Sequence, residues 1–256
     1  TEIYDASFRI GGRMMTYSDI FEGNTCNDLG GEFIDKNHLD LLELAQELDV
    51  ELVDLTKDNL EENTLFFDNK HYTQTDLAHA FLPYIDVLEK DLASLPDEFH
   101  YSNKAALETL DNMSVTEYLE SRNFKGWLKS FIISAVTTEY GCDADLQSSL
   151  NLLSILHLPK LNDKNYSIFG DEHEIYKFKK GAESLINKLK TKANLNHILT
   201  KISTLENGKT NLVFDNAGQT INVLADAVLL TVPFSVLRKV NLDFKMTEAK
   251  KAAIQE

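Results

Sequence analysis

The sequence predicts an α/β protein in which short strands and glycine-bearing loops at both ends of the chain flank a mostly helical block. Three observations predict it. A short strand, Ile3-Tyr4, ends at Asp5 and opens into the loop Ala6-Ser7-Phe8-Arg9-Ile10-Gly11-Gly12-Arg13. From Thr75 to about residue 160, apolar residues recur at helical spacing. Beyond residue 170 short β-type runs alternate with Asn207-Gly208 and Asn216-Ala217-Gly218 turns.

In chain order, Gly30-Gly31-Glu32-Phe33-Ile34-Asp35 follows a polar loop. Phe33 and Ile34 suit a short buried strand, and the glycines suit close backbone approach to a ligand or a tight strand entry. Asn37 is a candidate cap for a helix whose Leu41, Leu42, Leu44, Ala45 and Leu48 share a face. Val50 to Leu55 and Thr64 to Asp68 read as strands. Leu77, Phe81, Ile85, Leu88 and Leu92 form one helical stripe that Pro83 kinks or interrupts. Ser114-Val115-Thr116-Glu117 is a capping box opening the next helix. Phe124 to Thr138 reads as a buried helix ended by Gly141, and Asp145 to Leu156 as another, with Leu146, Leu150, Leu153 and Leu156 inward. Tyr176 to Lys179 reads as a strand and Gly181 to Lys190 as a helix. Four β runs follow: 196–204, 210–215, 221–225 and 227–232. In the last, Val228-Leu229-Leu230 has the continuous apolar character of a buried parallel strand. Thr247 to Glu256 reads as a helix. The chain begins at the tail of a strand and stops inside a helix, so it reads as a segment of a longer protein.

Composition narrows the function classes. Of 256 residues, 43% are hydrophobic and 26% charged, which is globular. The formal net charge is −16, with acidic residues dense between Asp35 and Glu62. That argues against nucleic acid as a partner, which demands clustered Lys and Arg, and mildly favours cationic ligands. Cys26 and Cys142 form no CxxC pair, so neither a zinc site nor a disulfide framework is expected. No apolar run approaches the ~20 residues that span a bilayer; Trp127 to Val136 is broken by Lys129. With no basic-then-apolar leader at the start, a soluble, cytoplasmic protein is favoured without a compartment being fixed.

The opening loop carries the chemistry. A carboxylate at the end of a second strand can accept both ribose hydroxyls of a dinucleotide, which makes Asp5 the candidate. Gly11 and Gly12 let backbone amides approach phosphate without a Cβ in the way. Arg13 and Arg9 either supply charge to a pyrophosphate or brace the loop. His38, a lone histidine near a helix start, reads as a capping or solvent-facing residue rather than a catalytic base.

The segment from Asp5 to Arg13 resembles the second-strand and GGR loop of the flavin-containing amine oxidase family. Leu29-Gly30-Gly31-Glu32-Phe33-Ile34, with His38 and the leucine-rich helix after it, resembles that family's next motif. Tyr176-Lys177-Phe178-Lys179-Lys180-Gly181-Ala182 resembles its strand and double-glycine helix start, with Ala182 in place of the second glycine. Ala225-Asp226-Ala227-Val228-Leu229-Leu230-Thr231-Val232-Pro233 resembles its strand running into a flavin-contacting turn. The four motifs stand in family order and cover nearly the whole chain. Asp5 departs from the usual Glu, and its shorter arm needs a closer ribose or a water.

The resemblance implies a split Rossmann-like FAD-binding domain with an inserted, mostly helical α+β substrate domain. It places the FAD-binding domain at 1–54 and 164–236, the substrate domain at 55–163, and the return to the substrate domain at 237–256. It implies FAD as cofactor, a small-molecule amine and O2 as substrates, and no metal. Cofactor contacts are expected at Asp5, Ala6, Arg9, Gly11, Gly12, Arg13, Gly30, Gly31, Glu32, Phe33, Ile202, Thr231 and Pro233; Ile202 would meet the adenine through its backbone, although any strand interior also suits Ile. The implied reaction is oxidation of an amine to an imine, with H2O2 as the product of O2. The family's lysine and aromatic cage fall outside these residues, so no catalytic residue is assigned. Alternatives are a related desaturase or protoporphyrinogen-oxidase-like enzyme, and a non-catalytic binding protein, cued by Ala182 and Ser7-Phe8.

Overall fold

A computed structural model describes residues 1–18, 23, 25–57, 65–96, 99, 104–160, 166–170, 172–190 and 192–255. The chain divides into two compact units. One comprises Thr1–Phe33, Leu39–Val53 and Lys177–Glu256; the other comprises Ile34–His38 and Asp54–Tyr176. The expected division at 163–164 lies outside the described residues.

In the first unit, β1 (Thr16–Tyr17) and β2 (Asn27–Asp28) pair antiparallel. β3 (Phe33–Ile34), β4 (Leu52–Asp54) and β7 (Tyr176–Phe178) form a three-stranded sheet in the order β3-β7-β4. Helix α1 (Leu39–Glu47) buries Ala45, and α8 (Glu183–Lys188) buries Leu185. A four-stranded sheet follows in the order β10-β9-β8-β11, built from β8 (Ile198–Thr204), β9 (Thr210–Asn216), β10 (Gln219–Ala225) and β11 (Asn241–Asp243). The first three form an antiparallel meander, and β11 joins β8 in parallel. Ile202, Leu212, Phe214, Leu237, Val240 and Ile254 form this sheet's buried core, the last three from or beside α9 (Phe234–Leu237) and α10 (Glu248–Gln255).

The expected strand at 227–232 is not one. Val228, Leu229 and Leu230 are 37%, 89% and 37% exposed, and no strand forms there. The position beside β8 is taken instead by Asn241–Asp243, whose Leu242 sits opposite Ile202. An apolar run satisfies the composition of a buried strand, but burial needs a partner surface, and β11 supplies the one that β8 uses.

The second unit is mostly helical. Its helices are α2 (Gln74–Phe81), α3 (Ile85–Ala93), α4 (Lys104–Asp111), α5 (Val115–Ser121), α6 (Gly126–Tyr140) and α7 (Ser149–Ile155). A hairpin, β5 (Leu65–Phe67) and β6 (Lys70–Tyr72), turns at Asp68-Asn69, both with positive φ. Thr64, expected in that strand, and Glu256, expected in the last helix, lie outside the described residues. Pro83 interrupts the long stripe as expected, opening a 3-10 turn, Leu82–Tyr84, between α2 and α3. The capping box at Ser114 and Glu117 forms, and left-handed Gly141 ends α6. A second box, Thr73 with Asp76, caps α2. The helix expected from Asp145 starts only at Ser149, capped by Ser148, and Leu146 is 75% exposed. Leu77, Phe81, Leu88, Tyr118, Leu119, Ile132, Val136 and Leu152 make up the centre of the core.

One ionic cluster edges this core. Asp91 accepts from Arg122 in bidentate fashion, Nε–Oδ2 2.7 Å and Nη2–Oδ1 3.1 Å, and from the Tyr118 hydroxyl at 2.7 Å. Burial alone would raise the Asp91 carboxyl; the bonds from Arg122 and Tyr118 outweigh it and hold the group below the usual carboxylate range. Burial and the same carboxylate push the Tyr118 hydroxyl well up. Replacing Asp91 with Asn strands Arg122 and weakens or removes the three charge-assisted bonds to the carboxylate, so Asp91→Asn is expected to cost about 2–3 kcal/mol in denaturant unfolding. Because the folded carboxyl is depressed, its stabilisation is present above the unfolded carboxylate value and lost as pH falls through the lower folded one. Stability curves against pH are therefore expected to show a shallower acid limb for Asp91→Asn than for the wild type.

Candidate functional site

The candidate site lies in the first unit and grows from the backbone pairing of residues 3–7. Tyr4 bridges Asn194 in parallel. The Asn194 N–H donates to the Ile3 carbonyl at 2.8 Å, and the Asp5 N–H donates to the Asn194 carbonyl at 3.0 Å. His197 and Asn196 donate in turn to the carbonyls of Asp5 and Ser7, each at 2.9 Å. This run of bonds fixes where Asp5 ends its strand. One carboxylate oxygen of Asp5 accepts the Ser7 N–H at 2.7 Å, an Asx turn that bends the chain out of the strand. The other oxygen has no partner among the described residues. Ala6 is exposed at the bend.

The two arginines of the loop do different things. Arg9 turns back on its own loop, with Nη1 donating to the carbonyls of Ile10 and Met14 at 3.0 and 2.9 Å and Nη2 to that of Gly12. The same Nη1 lies 3.5 Å from Glu183 in the first turn of α8. Arg9 is thus a brace. Arg13 is exposed, and its guanidinium has no partner among the described residues. Gly11 sits at φ +102°, and a Cβ there would meet the Met14 carbonyl at 3.0 Å and Arg9 Nη1 at 3.2 Å, so the loop's turn needs glycine at this position. Gly12 faces open space.

The loop is joined to the second motif by main chain. The Gly31 N–H donates to the Arg13 carbonyl at 3.1 Å. A Cβ on Gly30 would fall 1.8 Å from that same carbonyl oxygen, so no other residue fits without moving one segment. Gly31 faces open space, and Phe33 is 44% exposed. Glu32 does not stand free: its Oε1 meets Lys177 Nζ at 2.9 Å. The N-terminus of α8 is likewise spoken for. Asp28 Oδ1 accepts from the Ala182 N–H at 2.9 Å, and Thr16 Oγ1 accepts from the Glu183 N–H at 3.0 Å.

The remaining expected contacts lie elsewhere in the unit. The Ile202 side chain is buried in the sheet core, opposite Leu212 on one side and Leu242 on the other. Thr231 and Pro233 are exposed, and the Pro233 carbonyl accepts the N–H groups of Val236 and Leu237 at the start of α9. Among the described residues, no hydrogen bond or ion pair ties these three to the opening loop. His38 caps a turn, its Nδ1 accepting the Asp35 N–H at 3.1 Å. Sequence reasoning did not find Glu183, Asn194, Asn196 or His197 as partners of the loop. Glu183 had a legible signal, an acid in a helix's first turn; Asn196 and His197 meet the loop through backbone, and Asn194 through backbone and through its side-chain amide, which donates to the Ile3 carbonyl at 3.2 Å.

The second unit holds its own cavity of about 480 Å³, with Asp35, Asn37, His157, Phe169, Glu172 and His173 among its walls. Its carboxylates are engaged: Asp35 accepts the Glu174 N–H at 2.8 Å, and Glu172 pairs with Lys36 at 3.3 Å. Among the described residues, no group of three or more metal-ligating side chains could hold an ion, and no helix is long and apolar enough to cross a membrane.

Comparison with known proteins gives the fold its context. No curated protein matches the chain. Among solved structures it is similar to putrescine oxidase bound to putrescine, with a TM-score of 0.77, and to the cyclohexylamine oxidase of Brevibacterium oxydans IH-35A, with a TM-score of 0.76. Identity is 16% to each, and the match covers 99% of this chain but 57% of theirs, so the chain spans little more than half their length. The family model described as flavin containing amine oxidoreductase matches residues 1–256. FAD, the cofactor expected from the motifs, is the one that this match implies. With the whole chain covered, the protein belongs to the flavin-containing amine oxidoreductase family.

Proposed function

We propose that the whole protein oxidises a small-molecule amine to an imine, with O2 reduced to H2O2, on a split Rossmann-like domain that holds FAD. The observation that carries this reading is the match of the family model to every residue of the chain. The opening loop fits the cofactor. Among the described residues, Asp5 keeps one carboxylate oxygen uncommitted for a ribose hydroxyl, at the bend where Ala6 follows. Arg9 braces the turn of Gly11 and Gly12, and Arg13 is left, among the described residues, with a free guanidinium for a pyrophosphate. Gly30 and Gly31 let the main chain reach the flavin end, with Phe33 beside them. Ile202 would serve the adenine through its backbone, and Thr231 and Pro233 would form a flavin-side turn. The unit containing these residues is assigned to the cofactor, and the helical unit to the substrate.

FAD, when bound, supplies the hydride acceptor that no side chain can provide. The protein's share is to hold the dinucleotide, orient the substrate carbon and exclude water. Purified whole protein is expected to carry a flavin absorbance that amines bleach without air, and to release H2O2 when air returns. Bleaching by a polyene or porphyrinogen alone would overturn the amine reading, and a colourless protein that takes up no FAD would point to a non-catalytic binder.

The two arginines should separate in experiment. Arg13→Ala is expected to weaken FAD binding by about 10- to 100-fold while leaving the unfolding midpoint of the cofactor-free protein unchanged. Arg9→Ala is expected to lower that midpoint as well, because it removes the loop's brace. Gly30→Ala is expected to cost about 1–3 kcal/mol in denaturant unfolding by forcing the Arg13 carbonyl aside, and to weaken FAD binding with it.

A further inference from the structure

Glu32, expected as a cofactor contact, is instead paired with Lys177, a residue given no role above. Its atoms meet at 2.9 Å, and the Glu32 and Lys177 side chains are 24% and 36% exposed. The two residues are 145 positions apart. One lies in the middle of the Gly30–Phe33 segment and the other in β7. The hydrogen bond that Lys177 donates to Glu32 is the largest cause that raises its amine above the ordinary lysine value; burial opposes it, and Cys26 and Asp28 add smaller favourable contributions. A pair so placed fixes backbone position, because removing either partner leaves the other charge partly buried and without its nearest counter-charge.

The segment is anchored at its start and in its middle. At Gly30 and Gly31 it is pressed against the Arg13 carbonyl and bonded to it. At Glu32 it is pinned to β7. Between and beyond these anchors, successive residues of extended chain face opposite ways. Glu32 turns toward Lys177, while Gly31 meets open space and Phe33 is largely exposed.

We infer that the Glu32–Lys177 pair is a positioning device. It sets Gly31 and Phe33 as a ledge for the ring end of the flavin, and Glu32 acts through its neighbours rather than by touching the cofactor. This rests on the reading of the protein as an FAD enzyme.

The test compares FAD with ADP on the full-length protein. ADP reports the adenosine and pyrophosphate end served by Asp5 and Arg13, and only FAD reports the ledge. Glu32→Gln and Lys177→Met are each expected to weaken FAD binding about tenfold and to blur the vibronic structure of the bound flavin's visible band. ADP affinity stays unchanged. The double variant loses no more than either single, and Lys177→Arg, which keeps the pair, retains FAD affinity and band shape. The inference is overturned if the single variants bind FAD with unchanged affinity and spectrum. It is equally overturned if ADP affinity falls in step with FAD affinity, or if the two losses add in the double variant. Wild-type protein that binds ADP and no FAD would instead sink the flavin reading on which the inference stands.

Discussion

The Arg13 carbonyl and the α-carbon of Gly30 are so close that a single methyl group cannot come between them. The first unit depends on this contact. It joins the loop that leaves the first strand to the segment that enters β3, and the Gly31 N–H makes the contact a hydrogen bond as well as a fit. Everything that recommends the loop as a ligand site follows from its being held there. A loop with φ-positive glycines has many conformations of its own. Here the choice is made by two constraints from outside it, the Gly30 wall and the Glu183 carboxylate that meets Arg9.

The pattern of committed and uncommitted groups is what gives the site its direction. Arg9 satisfies its guanidinium internally, and α8 has its first N–H groups taken by Asp28 and Thr16. A helix N-terminus beside a glycine loop is often an anion site, but here it is filled by protein. Among the described residues, the charged groups of the loop left without a partner are one oxygen of Asp5 and the guanidinium of Arg13, an acceptor and a cation. These are the two kinds of group that a sugar hydroxyl and a phosphate respectively require. Charge alone would not have shown this, since the chain is acidic overall.

Much of the fold was legible where a local rule decides structure. The box at Ser114 and Glu117, the stop at Gly141, the break at Pro83 and the β8–β10 meander all arise from residues acting within a few positions of themselves. The failures share a different cause. Val228-Leu229-Leu230 had the composition of a buried strand, but partner choice is tertiary, and β11 is the strand that pairs with β8. Leu146 fell on a helical stripe, yet α7 begins where Ser148 caps it, three residues further than that stripe needed. β6, Lys-His-Tyr, is too polar to announce itself and exists because Asp68 and Asn69 turn the chain back. In the loop, the sequence offers Asp5, Gly11 and Arg13 as candidates and leans toward Arg13 over Arg9 for a phosphate, but it does not show what Arg9 holds instead. Both are arginines beside glycine, and the three carbonyls around one of them set them apart.

The two units draw on the chain in unequal ways. The helical unit takes nearly all of its residues from one continuous stretch, 54–176, whereas the other must bring 1–33 together with 177–256. Closing so long a loop carries an entropic cost that local helices do not face. A ribosome making this chain from its N-terminus exposes the helical stretch complete before Lys177, Glu183 or Asn194 has been synthesised. During that interval the opening loop has neither its brace partner nor its strand neighbour. Synthesis order therefore gives the helical unit a head start and leaves the opening loop as a late-assembled part, dependent on residues made well after it.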